Sequence, residues 1–158
     1  MMNSSELSEL LKKQKLVSDN DSLASALAEK VTVEEVTKGT VAMEEDSPGD
    51  DMLFILSGKF SVLVGGTKLS ELATGNHVGE MSVVDSENTR SASIVADVDS
   101  SVGRLNREDF SAIANEFPEL WKSIAVELAS RLRQTNGYLT RWEPPIERPD
   151  VEEDPIKE

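Results

Sequence analysis

From Val31 onward, apolar and polar residues alternate in short runs, which is the period of a β-strand. Several of these runs are rich in β-branched residues, and glycine-containing turns separate them at close spacing. The predicted strands occupy residues 31–36, 41–43, 52–56, 59–64, 67–72, 94–96 and 102–105. Such a series of short strands with tight turns is typical of a β-sandwich or β-roll.

A helical pattern precedes the strands. Ser4 or Ser5 can cap a first helix, in which acidic residues come early and lysines late, as the helix dipole prefers. A second helix is predicted to start around Asn20, with Leu23 and Leu27 on one face. The N-terminal region should therefore contain two short helices.

Two further helices are predicted after the last strand. Asn106 is the expected cap of the first, and Pro118 stands at the start of the second, where its missing N–H has no cost. The second helix is expected to end near Gly137. Its apolar stripe consists of Leu120, Ile124, Leu128 and Leu132. A stripe at this spacing should cover part of the β-roll.

The composition narrows the classes of function. A chain of 158 residues predicts one domain, and a formal net charge of −14 should repel nucleic acids and anionic membranes. There is no cysteine, so the fold does not depend on disulfides. The first residues lack the pattern of a signal peptide, and no apolar run is long enough to cross a bilayer. These features predict a cytoplasmic protein without nucleic-acid or membrane partners.

One stretch, Val78 to Ala96, contains a candidate site for an anion. Gly79 lacks a Cβ, so the backbone there could approach a ligand closely. A short turn of helix starting near Met81 would direct its free N–H groups, including that of Ser82, at a phosphate. The backbone of this stretch therefore predicts phosphate recognition.

The side chains of the same stretch supply matching chemistry. Arg90 has a planar fork of donors that suits phosphate oxygens, and Ser91 adds a hydroxyl donor beside it, before Ala92. Glu80 is an acceptor suited to a ribose hydroxyl. Each of these residues alone is common on protein surfaces; their order and spacing indicate a ligand that carries both a phosphate and a sugar.

These residues, at this spacing, resemble the phosphate-binding cassette of cyclic nucleotide-binding domains. Gly58 and Gly75 resemble the turn glycines of the same family. The resemblance extends over residues 22–136. It implies a mainly β fold, a double-stranded β-helix or jelly-roll β-roll, flanked by short N-terminal helices and a longer C-terminal helix.

The resemblance also implies a ligand and a set of contacts. The ligand is a cyclic nucleotide, with cyclic AMP favoured and cyclic GMP left open, because a hydroxyl after the arginine occurs with both. The implied binding residues are Gly79, Glu80, Met81, Ser82, Arg90, Ser91, Ala92, Thr135 and Asn136. Of these, Thr135 and Asn136 would meet the base from the C-terminal helix. No catalytic residue, metal or further cofactor is implied.

The predicted organisation has three parts: an N-terminal helical extension (1–19), the binding domain (20–139) and a proline-rich acidic tail (140–158) that is expected to be mobile. We expect a stand-alone regulatory module, a monomer or weak homodimer, whose C-terminal helix moves on ligand binding and signals to an unidentified protein partner.

Other classes of function remain as alternatives. A degenerate β-roll could bind a protein partner without nucleotide, although Glu80 and Arg90 argue against this. A metal-dependent enzyme on a similar scaffold would need several histidines, and His77 is the only one. The acidic run at residues 44–51 lacks the spacing of a calcium loop and predicts a solvated turn.

Overall fold

The structure is a computed structural model that describes residues 2–85, 87 and 89–141, with side chains as far as Gly137. Within these residues, eight antiparallel strands form two four-stranded sheets, with the orders β1-β8-β3-β6 and β2-β7-β4-β5. The strands are β1 (Thr32–Val36), β2 (Val41–Met43), β3 (Asp51–Ser57), β4 (Lys59–Val64), β5 (Thr67–Ala73), β6 (His77–Val78), β7 (Ser93–Ala96) and β8 (Ser100–Asn106). The prediction of a mainly β roll is confirmed.

The core is built around β3, which lies between β8 and β6 in its sheet. Residues 52–56 of this strand are all buried. Leu53 and Ile55 belong to the cluster between the sheets, together with Phe60 of β4 and Val102 of β8. Successive side chains of a strand face opposite sides, so Met52, Phe54 and Leu56 face away from that cluster, toward the side on which helices contact the strand. Strand β3 is therefore buried on both of its faces.

The N-terminal helices are α1 (Ser4–Lys12) and α2 (Asp21–Lys30). Asn20 caps α2, as predicted. The prediction that Ser4 or Ser5 caps α1 is wrong, because the cap is Asn3: its Oδ1 accepts from the Glu6 amide at 2.9 Å, and the Glu6 carboxylate accepts from the Asn3 amide at 3.1 Å. This reciprocal capping box satisfies two backbone donors. Ser4 could not form it, because the residue three positions later is Leu7, which has no carboxylate.

Helix α4 (Arg107–Glu116) begins after the predicted cap Asn106, whose Oδ1 accepts from the Asp109 amide at 2.8 Å. Helix α5 (Glu119–Arg141) continues past Gly137, so the predicted end at that glycine is wrong. Gly137 does not adopt the left-handed conformation that ends helices, and no atom presses on it. A glycine inside a helix weakens the helix without necessarily ending it.

The described residues divide between 124 and 125 into two compact units, and α5 begins in the first and continues into the second. In the first unit, Leu120 and Ile124 are buried. In the second, Leu132 is 62% exposed. The apolar stripe predicted on this helix is therefore core only in its first half.

The predicted tail at 140–158 lies, from residue 142 onward, outside the described residues. Among the helices of the described ranges, none has the length and apolar character that a membrane span requires.

Candidate ligand-binding site

The candidate site is centred on the short helix α3 (Glu80–Val84), which directly follows β6. Gly79 precedes it with a left-handed backbone, φ 88°, which allows the sharp turn from strand to helix. A Cβ on Gly79 would lie 2.7 Å from the Asp51 carbonyl oxygen and 3.1 Å from Arg90 Nη1. The close approach at this glycine is therefore to the chain's own β3 and to Arg90.

The first residues of α3 differ in exposure. Glu80 is only 2% exposed, and Ser82 is also buried, whereas Met81 faces solvent. The Ser82 amide bonds to the Gly79 carbonyl oxygen at 3.0 Å, which closes the turn. Glutamate side chains are rarely buried in proteins unless they are paired, so a buried carboxylate at the start of this helix indicates a specific polar role.

Arg90 is 6% exposed and lies against this helix. Its Nη1 donates to Ser82 Oγ at 2.7 Å and to the Asp51 carbonyl oxygen at 2.8 Å, and its Nη2 donates to the Asp51 carboxylate. The structure thus brings Gly79, Ser82 and Arg90 together, as the resemblance implies. It also adds Asp51, which the sequence analysis did not place in the site.

The acidic run at residues 44–51 is not simply a solvated turn, and that prediction needs correction. Asp51 opens β3, and its side chain is 16% exposed and ion-paired with Arg90. The preceding residues pair with the cassette as well: the Arg90 amide donates to the Ser47 carbonyl oxygen at 2.9 Å. Main-chain pairing of this kind holds the segment against the cassette, so its last carboxylate cannot be treated as free in solvent.

A second arginine reaches Asp51 from β8. Arg104 Nη1 donates to the other carboxylate oxygen of Asp51, while its Nε and Nη2 bond to Glu34 of β1 at 3.0 and 3.1 Å. Burial lowers the pKa of Arg104, but its hydrogen bonds to Glu34 and Asp51 outweigh this and hold that pKa above its ordinary value. Arg104 is therefore permanently charged. The position of Arg104 among the apolar residues of β8 could have predicted that it has a buried acidic partner.

Two further residues hold the site in place. A Cβ on Gly49 would lie 2.4 Å from Arg90 Nε and 2.5 Å from its Cζ, so a larger residue there would push the guanidinium out of its present position. Arg107, the first residue of α4, donates from Nε to the Ser82 carbonyl oxygen at 2.7 Å. The short helix is thus tied to the start of α4, a contact that sequence spacing could not reveal.

The remaining predicted residues lie in different surroundings. Ser91 is exposed and Ala92 is half-buried, both directly after Arg90. Thr135 and Asn136 are exposed residues of α5 in the second unit, and Thr135 Oγ1 donates to the Arg131 carbonyl oxygen of its own helix at 3.0 Å. The two predicted base contacts therefore belong to a different unit from the cassette.

His77 is buried in β6, with its ring centroid 6.3 Å from that of Phe54. Across the part of the chain that the structure describes, no group of three or more His, Asp or Glu side chains could hold a metal ion. The chemistry that the site offers is accordingly that of a buried guanidinium, a buried carboxylate and the N–H groups of a short helix. This combination suits an anion that carries hydroxyl groups.

Comparison with known proteins agrees with this chemistry. The family model described as "Cyclic nucleotide-binding domain" matches residues 33–117, which is more than half of the chain. The Pycsar effector protein PaPycTIR of Pseudomonas aeruginosa is 38% identical over 133 residues. That match covers 84% of this chain and 43% of the relative, so the chain spans less than half of the relative's length.

Solved structures with the same fold include the catabolite activator protein of Thermus thermophilus, with a TM-score of 0.71 and 29% identity over 77% of this chain and 58% of that chain. A cyclic nucleotide-binding domain from Methylobacillus flagellatus KT has a TM-score of 0.69 and 23% identity over 90% of this chain and 86% of that chain. The second likeness, at its lower identity, concerns the fold alone.

Proposed function

The chain belongs to the cyclic nucleotide-binding domain family, and from that membership we propose that it is a regulatory module that binds cyclic AMP reversibly. The observation that carries the proposal is the buried Arg90 held beside Gly79 and Ser82 at the short helix α3. Domains of this family are typically regulatory rather than catalytic. We propose the same for this chain.

In the proposed complex, Arg90 binds the cyclic phosphate through its guanidinium. The Met81 amide and the Ser91 hydroxyl add neutral donors, and Ala92 lies at the edge of the proposed pocket. The Ser82 amide contributes only by sharing or leaving the Gly79 carbonyl oxygen to which it is bonded. Charge-assisted bonds to phosphate are the strongest contacts available to such a site. Salt screens them less than it screens surface ion pairs, because Arg90 is buried.

We propose that Glu80 accepts a hydrogen bond from the ribose 2′-hydroxyl. A 3′,5′-cyclic phosphate leaves that hydroxyl free, so it distinguishes the ligand from its 2′-deoxy analogue. Glu80 lies at the first position of α3, adjacent in sequence to the amides proposed for the phosphate, and its burial would strengthen the bond.

The choice of base is proposed from weaker support. A protein kinase A regulatory subunit with the same fold is described as cAMP-bound, and Thr135 and Asn136 are polar residues suited to adenine. Ser91, by contrast, is compatible with either purine. We therefore propose cyclic AMP, with cyclic GMP as the competing ligand in the test.

Calorimetric titration of the purified chain tests the proposal. We expect cyclic AMP to bind at least tenfold more tightly than 5′-AMP, because the linear phosphate carries a second charge and loses the fixed ring geometry. We expect 2′-deoxy cyclic AMP to bind about tenfold more weakly than cyclic AMP, since it lacks the hydroxyl that is proposed to donate to Glu80. Failure of both cyclic AMP and cyclic GMP to bind would refute the nucleotide function and favour a protein-binding β-roll.

We also propose that ligand binding changes the state of α5, which would signal occupancy to a protein partner. The relatives that are named effector proteins support such a readout. The exposed Leu132 gives the second unit an apolar position that a partner or a second copy could cover. We propose a cytoplasmic monomer or weak homodimer, since like charges oppose tight self-association.

Hydrogen exchange measures that change directly. Saturating cyclic AMP should slow amide exchange at residues 128–136 more than in α1, because a helix that contacts the base opens less often. Helix α1 is the internal control, since nothing in the proposed site involves it. Unchanged exchange at residues 128–136 would contradict a role for α5 and leave the cassette as the whole site.

A further inference from the structure

A single carboxylate, that of Asp51, is shared by two guanidinium groups. One of its oxygens accepts from Arg90 and the other from Arg104. The side chain of Asp51 is 16% exposed, and those of its partners are 5% and 30% exposed. The inference that follows rests on the proposed function, because Arg90 is the residue proposed for the ligand phosphate.

Three of the five N–H donors of Arg90 are bonded within its own chain. Both N–H groups of Nη1 are used, one by the Asp51 carbonyl oxygen and one by Ser82 Oγ, and Nη2 donates to the Asp51 carboxylate. Gly49 lies so close to Nε, Cζ and Nη2 that not even a methyl group would fit there. A phosphate that binds the remaining donors, on Nε and Nη2, comes to lie beside the Asp51 carboxylate, which is bonded to the same Nη2. The carboxylate repels a phosphate in that position.

Arg104 can hold the carboxylate when Arg90 releases it. Strand pairing places Leu53 of β3 opposite Arg104 of β8, which fixes Asp51 within reach of that side chain. Glu34 anchors Arg104 through Nε and Nη2 and leaves Nη1 for Asp51. Breaking one ion pair of a half-buried carboxylate costs much less free energy when a second cation still pairs with that carboxylate than when no cation remains.

We propose that the Asp51 carboxylate competes with the nucleotide phosphate for Arg90, and that Arg104 sets the strength of this competition by holding Asp51. Asp51 is thus a built-in anion bonded to the arginine that is proposed to hold the phosphate, and Arg104 is a positioning residue that acts on the ligand only through Asp51. Ligand affinity is then tuned from β8 and β1, at residues that do not touch the nucleotide.

Asp51→Asn tests the competition. Removing the charge should make cyclic AMP bind about threefold to tenfold more tightly, while the protein without ligand becomes less stable to heat. Loss of any carboxylate from so acidic a chain slightly favours an anionic ligand, so Glu71→Gln is the matched control. Glu71 lies on β5 in the other sheet and pairs with Lys59 and Lys68.

Arg104→Gln tests the second half of the proposal and leaves the Arg90–Asp51 pair in place. We expect cyclic AMP affinity to fall about threefold to tenfold, because Asp51 then has only Arg90 as a cation. The double variant with Asp51→Asn should show no further loss beyond that of Lys68→Gln, which removes one surface positive charge. This coupling distinguishes action through Asp51 from a general charge effect.

Weaker binding by Asp51→Asn than by the parent would overturn the competition and make Asp51 a residue that orients Arg90 for the ligand. An equal effect of Arg104→Gln with and without Asp51 would overturn the role of Arg104. Should Asp51→Asn fail to fold, the comparison of cyclic AMP affinity between Arg104→Gln and Lys68→Gln decides the question. Equal affinities of these two variants would then overturn the competition. Failure of the parent to bind any cyclic nucleotide would refute the proposed function instead.

Discussion

Arg90→Ala should weaken cyclic AMP binding by about tenfold to a hundredfold, measured by calorimetry at fixed ionic strength. Alanine supplies neither the charge nor the donors of the guanidinium, and Arg107, the other cation beside Ser82, is already bonded through Nε to the Ser82 carbonyl oxygen. The free energy of unfolding should fall as well, but less than for a buried charge left alone, because Asp51 keeps its contact with Arg104.

Arg90→Lys separates charge from geometry. An ammonium group restores the positive charge but cannot bond Ser82, the Asp51 main chain and a phosphate in one plane. We expect an affinity between those of the parent and Arg90→Ala. Thermal unfolding of each variant without ligand shows how much of the loss is due to folding. Equal affinities of Arg90→Ala and the parent would remove Arg90 from the site.

The β-roll could be predicted from the sequence because its signals are local. Strand β3 is a continuous apolar run bounded by turn residues, and Gly65-Gly66 marks the hairpin turn between β4 and β5. The register within each sheet follows from which face is buried, since a shift of one residue would expose every apolar side chain. Local pattern and global burial agree over this region, so the fold follows from the pattern.

The partners of the site could not be predicted in the same way. Asp51 and Arg90 are 39 residues apart, and Arg104 lies 53 residues from Asp51. Their meeting depends on the pairing of β3 with β8 and on the main-chain contacts of the cassette with residues 46–48. Sequence spacing identifies residues that suit a phosphate. Sequence spacing does not reveal which acidic side chain of the protein already pairs with those residues.

The predicted start of α1 and the predicted end of α5 were wrong for a different physical reason. Several residues near each end satisfy the rules for caps, and the choice among them is worth only about 1 kcal/mol. Asn3 prevails over Ser4 and Ser5 because it alone completes the reciprocal pair with Glu6. At Gly137 the helix continues, since the glycine retains a backbone that helices allow. Small local differences of this kind are decided by neighbours that the rules do not include.

Gly79→Ala should give the largest loss of stability among single substitutions at the site. Alanine at φ 88° costs about 1–2 kcal/mol, and its Cβ would lie 2.7 Å from the Asp51 carbonyl oxygen and 3.0 Å from Met52 Cα. Both atoms belong to the backbone of the buried strand β3, so they cannot move aside cheaply. We expect a total cost of about 3 kcal/mol, which lowers the midpoint of thermal unfolding by about 6–12 °C.

Gly39→Ala is the matched control, because Gly39 has nearly the same backbone, φ 87°, but no atom within 4 Å of the position of the new Cβ. It should lose only the cost of the left-handed conformation, about 1–2 kcal/mol, and bind cyclic AMP like the parent. Gly79→Ala should in addition bind more weakly, since the displaced turn carries Ser82 and adjoins Arg90 Nη1. Equal stability losses in the two variants would show that β3 yields to the added methyl group. The need for glycine at Gly79 would then come from its backbone conformation alone.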